Sequence, residues 1–151
     1  MDIYIRVVAA LLLGFAIGLE REFSNKYAGL RTNILVCLGA CVFTVISIYG
    51  FPLIMGDGLP AGGAVRDTAR VAAQIVTGIG FIGGGTVLRH GETVHGLTTA
   101  ATLWMAAAVG MACGAGMYGF AVFSTVLAIV VLVSARMFEK KTIGTKKEES
   151  N

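Results

Sequence analysis

Three long runs of this sequence contain no Asp, Glu, Lys or Arg, and they constrain the fold more than any other feature. They cover residues 32–56, 71–88 and 98–135. A helix that crosses the hydrocarbon core of a bilayer needs about 20 mostly apolar residues. Soluble domains carry about 25% charged residues, whereas this chain of 151 residues carries 14%. We therefore expect an all-α integral membrane protein.

About five transmembrane helices are predicted. The first two uncharged runs each suit one span, and so does the apolar segment 7–19 near the N-terminus. The third run is too long for one span, and "CGAGM" at 113–117 divides it into two. The predicted helices cover 3–19, 33–50, 69–88, 98–113 and 117–138. They form a membrane domain over residues 1–138, and the polar tail 139–151 has a composition typical of disorder.

The segment "TGIGFIGGGTVLRH" at 77–90 contains a G-x-G-x-x-G pattern at Gly78, Gly80 and Gly83. A dinucleotide site requires that pattern between a strand and a helix, with an acidic residue about 20 positions further on. Here it lies inside an apolar helix without strand alternation, so we predict no cofactor. One alternative stays open, in which the glycines 83–85 unwind the helix and form an ion or substrate site.

Small residues fall on one face of several predicted helices. In lipid, such residues let helix backbones approach closely. The stripes comprise Ala10, Gly14 and Gly18 on the first helix, Ala73, Thr77, Gly80 and Gly84 on the third, and Ala107, Gly110 and Gly114 on the fourth. We expect these stripes to pack against one another. The predicted helix-packing residues are Gly14, Gly18, Gly78, Gly80, Gly83 and Gly84.

The distribution of basic residues predicts the orientation in the membrane. If the N-terminus is outside, the loops at 20–32 and 89–97 and the tail face the cytoplasm and contain most of the twelve Lys and Arg residues. Cytoplasmic loops are enriched in these residues, so we predict an outside N-terminus and a cytoplasmic C-terminus. The tail lysines suit anionic lipid headgroups, and the net charge of +3 gives no reason to expect a nucleic-acid partner.

A weak internal repeat relates the two halves of the chain. "GFAIGLER" at 14–21 resembles "GFIGGGTVLR" at 80–89, and "AGLRTNILVCLGA" at 28–40 resembles "HGLTTAATLWMAA" at 95–107. Because two helices separate the copies, each copy has the same orientation. The sequence therefore predicts a parallel repeat of helices 1–2 and 3–4 about an axis along the membrane normal.

Charged residues at the helix ends are the candidates for function, because charges are costly in a bilayer. Asp67 and Arg70 lie one turn apart at the start of the third helix. Two interpretations stay open: Asp67 caps the helix while Arg70 extends towards water, or the pair forms a functional charge site. Glu20, Arg21, Glu22 and Arg31 flank the first inner loop, where an interfacial cluster that fixes topology is the alternative to a site.

Catalytic motifs are missing from the sequence. We find no nucleophile–base order typical of a hydrolase, no phosphate-binding loop and no strong metal-ligand spacing. His90 and His95 share a short loop with Glu92, but this spacing fits no established metal template. We therefore expect no catalytic residue, no metal site and no enzymatic activity.

Three segments in order resemble the membrane domain of the MgtC/SapB family over about residues 5–115. They are "LLLGFAIGLEREFSNKYAGLRTNILVCLGA", "RDTARVAAQIVTGIGFIGGGTVL" and "GLTTAATLWMAAAVGM". The resemblance implies a multi-pass protein of the bacterial inner membrane, associated with adaptation to low magnesium, acid or host (virulence) stress. It implies a non-enzymatic modulator of membrane proteins such as a P-type magnesium pump or the ATP synthase, and a homo-oligomer as a further association. The alternative is a magnesium or ion transporter or channel subunit.

The resemblance also implies which positions function. They are Glu20, Arg21, Arg31 and Thr32 in the first repeat unit, and Asp67, Arg70 and the glycines 78, 80 and 83 in the second. The chain departs from the family in having Thr68 where proline usually follows the aspartate, and in a longer preceding segment. The resemblance covers the membrane domain only, without the ACT-like soluble domain of longer members.

Overall fold

The computed structural model describes residues 2–50, 68–91 and 93–148, which fold almost entirely as helices. The helices are α1 (Asp2–Phe23), α2 (Leu30–Val45), α3 (Thr68–Gly85), α4 (Leu97–Gly114) and α5 (Tyr118–Glu148). A π-helical turn, Ile46–Gly50, continues α2, and two short antiparallel strands, β1 (Leu88–His90) and β2 (Thr93–His95), connect α3 to α4. The all-α fold with five helices is thus confirmed.

Four of the described helices are long and apolar enough to cross a membrane. These spans are Asp2–Phe23, Leu30–Gly50, Leu97–Gly114 and Tyr118–Phe138. The helix α3 is not among these spans, and Arg70, Gln74 and several glycines lie within its 18 residues. The helix α3 also packs differently from the other four helices.

Close backbone contacts hold α1, α2 and α4 together at the centre of the bundle. A Cβ atom added at Gly14 would lie 2.8 Å from Cys37 Cβ, and one added at Gly18 would lie 2.8 Å from Leu30 Cα. On α4, a Cβ atom at Gly114 would lie 2.7 Å from the carbonyl oxygen of Cys41. The Cβ atoms of real side chains do not come this close to other atoms. Only glycine therefore permits this separation between the helices.

The antiparallel helices separate two ends of the bundle. The N-terminal part of α1 meets the C-terminal part of α4, where Arg6 contacts Gly114. At the opposite end, Ser24 after α1 contacts Arg136 on α5, and Gly83 near the end of α3 contacts Ala100 in the first turn of α4. Most of the basic residues assigned to the cytoplasm lie at this second end, although the side of the membrane it faces stays a prediction.

The chain between α3 and α4 is a hairpin, where the sequence predicted a simple loop. Leu88 pairs with His95 and His90 with Thr93. Gly91 and Gly96 have φ angles of +61° and +91°, in the left-handed region that glycine adopts without steric cost. A side chain at Gly96 would also collide with the carbonyl group of Thr86. These two glycines therefore allow the chain to reverse and to enter α4.

The tail also differs from the prediction. The backbone of α5 continues as a helix to Glu148, whereas the composition favoured disorder from residue 139. Lys and Glu dominate this stretch and no proline interrupts it, and both residue types have good helix propensity. The helix begun in the apolar segment can therefore extend through the polar one.

Candidate functional site

The turn between α1 and α2 is fixed by the side chains of Glu22 and Asn33. The backbone N–H of Leu30, in the first turn of α2, donates to Glu22 Oε2 at 2.9 Å. The side-chain amide of Asn33 donates to the carbonyl groups of Ala28 at 2.9 Å and Gly29 at 2.8 Å. The bond to Glu22 satisfies one of the N–H groups that a helix start leaves unpaired. The Asn33 bonds tie the side chain of α2 to the carbonyl groups of the turn, so together these bonds hold the end of α1 against the start of α2.

A charged cluster, formed by Glu20, Arg21, Ser24 and Arg136, lies beside this turn. Arg21 is buried, with 2% of its surface exposed, and its guanidinium forms a short ion pair with Glu20. Ser24 Oγ donates to Glu20 Oε1 at 2.8 Å, and Arg136 Nη1 donates to Ser24 Oγ at 3.0 Å. A buried arginine requires such a counter-charge, and the cluster joins α5 to the end of α1.

Arg31 and Thr32 are not part of this charged cluster. They line a cleft between α2 and α3 that has a volume of about 630 Å³. Gln74 is the third polar residue in its lining, and the rest is apolar, with Leu35 and Phe43 along α2. The first-unit residues implied by the family resemblance thus divide between two places, the charged cluster and the cleft.

In the second unit, the structure describes part of the predicted site. Asp67 lies outside the described residues, so the Asp67–Arg70 pair stays a prediction. Arg70 is exposed in the first turn of α3. The helix remains α-helical through Gly85, which corrects the alternative in which the glycines 83–85 unwind it.

The predicted packing of the glycines on α3 needs a correction. Gly83 lies against Ala100, whose Cβ would be 3.5 Å from an added Cβ atom. Added Cβ atoms at Gly78, Gly80 and Gly84 would meet nothing within 4 Å in the described chain. The reason is that α3 contacts α4 through the face of Ile79 and Gly83, which are its buried residues. This face differs from the stripe predicted to pack.

At the other end of the bundle, Arg6 makes contacts that sequence analysis missed. Its Nη1 donates to the carbonyl oxygen of Gly114 at 2.6 Å, at the C-terminus of α4. Its guanidinium carbon lies 5.1 Å from the ring centroid of Tyr49. A cation favours the negative end of a helix dipole and the face of an aromatic ring, so Arg6 stabilises the junction of α1, α2 and α4. The partner carbonyl is 108 positions away, and no pattern in the sequence indicates the pairing.

Comparison with known proteins places these features in a family. The family model described as the MgtC family matches residues 7–141. The chain belongs to the MgtC family. Comparison with solved structures found no match.

Relatives in the MgtC family are similar over most of this chain. "Protein MgtC" of Brucella abortus (strain 2308) is 50% identical over 125 residues, which are 83% of this chain and 48% of the relative. "Putative magnesium transporter YhiD" of Escherichia coli (strain K12) is 42% identical over 131 residues, which are 87% of this chain and 59% of the relative. "Protein MgtC" of Salmonella typhimurium (strain 14028s / SGSC 2262) is 42% identical over 132 residues, which are 87% of this chain and 52% of the relative. The chain therefore spans about half the length of the curated relatives it matches.

The MgtC family match includes both sites described above. Its range of 7–141 covers the charged cluster and the cleft, and it leaves Arg6 just outside. The recognition of the family from three motifs is thereby confirmed. The membrane location also follows from the family together with the four candidate spans.

Proposed function

We propose that this protein is a non-enzymatic modulator of other proteins of the bacterial inner membrane, acting in adaptation to low magnesium, acid or host stress. Membership of the MgtC family supports this proposal. The outside N-terminus and cytoplasmic C-terminus are part of it. The matched relatives are about twice as long as the aligned region, so any activity of a complete relative enters only as part of the proposal.

One observation carries the proposal: α3 presents a face of small residues that the described part of the bundle does not cover. This face, which we call the open stripe, consists of Ala73, Thr77, Gly80 and Gly84, and all four are exposed. The Thr77 hydroxyl donates to the carbonyl group of Ala73 at 3.0 Å, so its hydrogen bond is satisfied within α3. In lipid, small residues allow another helix to approach the backbone.

The position of the open stripe on α3 favours a partner outside the chain. With 3.6 residues per turn, the stripe lies on the side of α3 opposite the cleft residues Val71, Ile75 and Gly78. The stripe residues of α1 and α4 make close contacts inside the bundle, whereas Gly80 and Gly84 on α3 meet no atom of the described residues within 4 Å. The partners that fit are a helix of a P-type magnesium pump, a helix of the ATP synthase, or α3 of a second copy.

Site-specific photo-cross-linking in native membranes tests this proposal. A photoreactive residue at Thr77 should form an adduct of discrete mass with a second membrane protein or a second copy. The matched control is Ile79, two positions away on the same helix, which is buried against α4 and should give no adduct with another protein. If Thr77 gives no discrete adduct while the protein is inserted at normal levels, the open stripe is not a partner surface.

The alternative function is a magnesium or ion transporter or channel subunit. The name of the Escherichia coli relative, "Putative magnesium transporter YhiD", and the polar residues Arg70 and Gln74 on α3 favour it. Purified protein in liposomes separates the two functions. A modulator should leave Mg²⁺ entry at the level of empty liposomes, whereas saturable entry that requires Gln74 would favour transport.

A further inference from the structure

The cleft between α2 and α3 opens to the surroundings of the bundle along its length. Several of its lining side chains are more than half exposed or nearly so, with 68% of Leu35, 58% of Phe43 and 49% of Ile82 accessible. Its volume of about 630 Å³ is within the range of small-molecule sites, roughly 300–1,000 Å³. Since α2 is a candidate span, the medium that meets this cleft is the hydrocarbon of the bilayer.

The length of the cleft matches one leaflet of a bilayer. Along α2 its lining extends from Arg31 to Phe43, which corresponds to about 18 Å at 1.5 Å per residue. The hydrocarbon core of a bilayer is about 30 Å thick, so a single leaflet contributes about half of that. An acyl chain that entered beside Arg31 would end near Phe43 and the facing residue Val71.

The charge at the entrance of the cleft selects the occupant. Arg31 is the one charged residue among the described residues that line the cleft, and it is exposed in the first turn of α2. The nearby carboxylate of Glu22 already accepts the N–H of Leu30. The helix start adds positive potential on the same side. An anionic group joined to an apolar tail therefore complements the cleft.

We propose that the cleft binds an anionic phospholipid, with its phosphate on Arg31 and one acyl chain between α2 and α3. The acyl chain fills the space that the lining side chains of α2 and α3 leave open between the two helices. A transmembrane helix of a protein partner is a poorer fit, because Arg31 would then remain without a counter-charge at the edge of an apolar interface. This inference does not depend on the proposed function.

Fluorescence quenching by brominated lipids tests the inference. Trp104 is the single tryptophan of the chain, so a Trp104→Phe background that also carries Phe43→Trp reports on the cleft alone. The protein is reconstituted in phosphatidylcholine vesicles that contain phosphatidylglycerol, and the bromines are placed on the distal half of the acyl chains of one lipid or the other. Because both leaflets have the same composition, the orientation of the protein does not affect the result.

The inference predicts that brominated phosphatidylglycerol quenches the Phe43→Trp reporter more than its share of the bilayer explains. The expected preference over phosphatidylcholine is about fivefold, which corresponds to the ~1 kcal/mol contributed by one basic residue at an anionic surface. Arg31→Gln should remove the preference. Lys26→Gln, which removes an exposed charge of the same turn that does not line the cleft, should retain it.

A reporter on the outer face of α5 provides the reference for ordinary bilayer lipid. Phe123 is 61% exposed, and Phe123→Trp in the same background should be quenched equally by the two brominated lipids. Equal quenching at Phe43→Trp, or a preference that survives Arg31→Gln, would overturn the inference. Absence of quenching by either lipid at Phe43→Trp would overturn it as well, because a protein helix would then occupy the cleft.

Discussion

The central helices α1, α2 and α4 and the peripheral helix α3 use the same residue type in opposite ways. On α1 and α4, Gly14 and Gly110 lie so close to α2 that an added methyl group would meet Cys37. On α3, Cβ atoms added at Gly80 and Gly84 would meet no atom of the described residues within 4 Å. A stripe of small residues therefore indicates that a helix can be approached closely, and it does not indicate which helix approaches. Among the described residues, the stripes of α1 and α4 build the bundle, and the stripe of α3 is exposed.

The largest effect should come from adding one methyl group to the central contact. Gly110→Ala would place a Cβ atom against the backbone carbonyl of Cys37, and backbone cannot move aside as a flexible side chain does. We expect a loss of about 3 kcal/mol, at the upper end for overpacked sites, seen as earlier thermal unfolding in detergent. Gly80→Ala, the matched change on α3, should unfold like the wild type. Equal losses from the two changes would remove the distinction between the regions.

A smaller loss should follow removal of the charge at the opposite end of the core. Arg6→Gln weakens the bond to the Gly114 carbonyl and the contact with the Tyr49 ring. Hydrogen bonds to charged groups contribute roughly 1.5–3 kcal/mol, so we expect a loss of this size in the free energy of unfolding. Arg6→Lys keeps a positive charge near the end of α4 and should recover part of it. Unfolding that is unaltered by Arg6→Gln would show that the core does not depend on this junction.

The link from α5 to the charged cluster should contribute least to stability. Ser24→Ala removes the bridge between Glu20 and Arg136, and we expect a loss of about 1 kcal/mol, which is typical of one net hydrogen bond. Arg136→Gln should cost a similar amount, and the double variant should cost less than the sum, because both changes break the same bond. Additive losses in this cycle would mean that the two side chains do not interact in solution.

The sequence predicts the helices well because each depends on a local property, the length of an apolar segment. The start of α4 and the end of α1 differ from the prediction by only a few residues. The hairpin at Leu88–His95 is missed because strands of three residues are too short to show an alternating pattern. The helical tail is missed because a polar composition with good helix formers suits both a solvated helix and a disordered segment.

The candidate sites are harder to predict because they depend on distant pairings. Glu20 and Arg21 stand out as charges next to an apolar segment, yet their link to Arg136 crosses 112 positions through Ser24. Arg31 stands out as well, but its place at a cleft depends on how α3 lies against α2. Small residues on α3 suggested packing within the bundle, and only the three-dimensional arrangement reveals that α3 uses another face, that of Ile79 and Gly83.

We propose that the open stripe of α3 contacts partners and does not stabilise the bundle. The most direct test measures Gly80→Leu twice, by thermal unfolding in detergent and by growth at low magnesium of a strain that lacks its own copy. Gly119→Leu is the matched control, since an added Cβ atom there also meets nothing within 4 Å. We expect normal unfolding for both variants and failure to restore growth for Gly80→Leu alone. Early unfolding of Gly80→Leu, or full growth with it at normal expression, would contradict the claim.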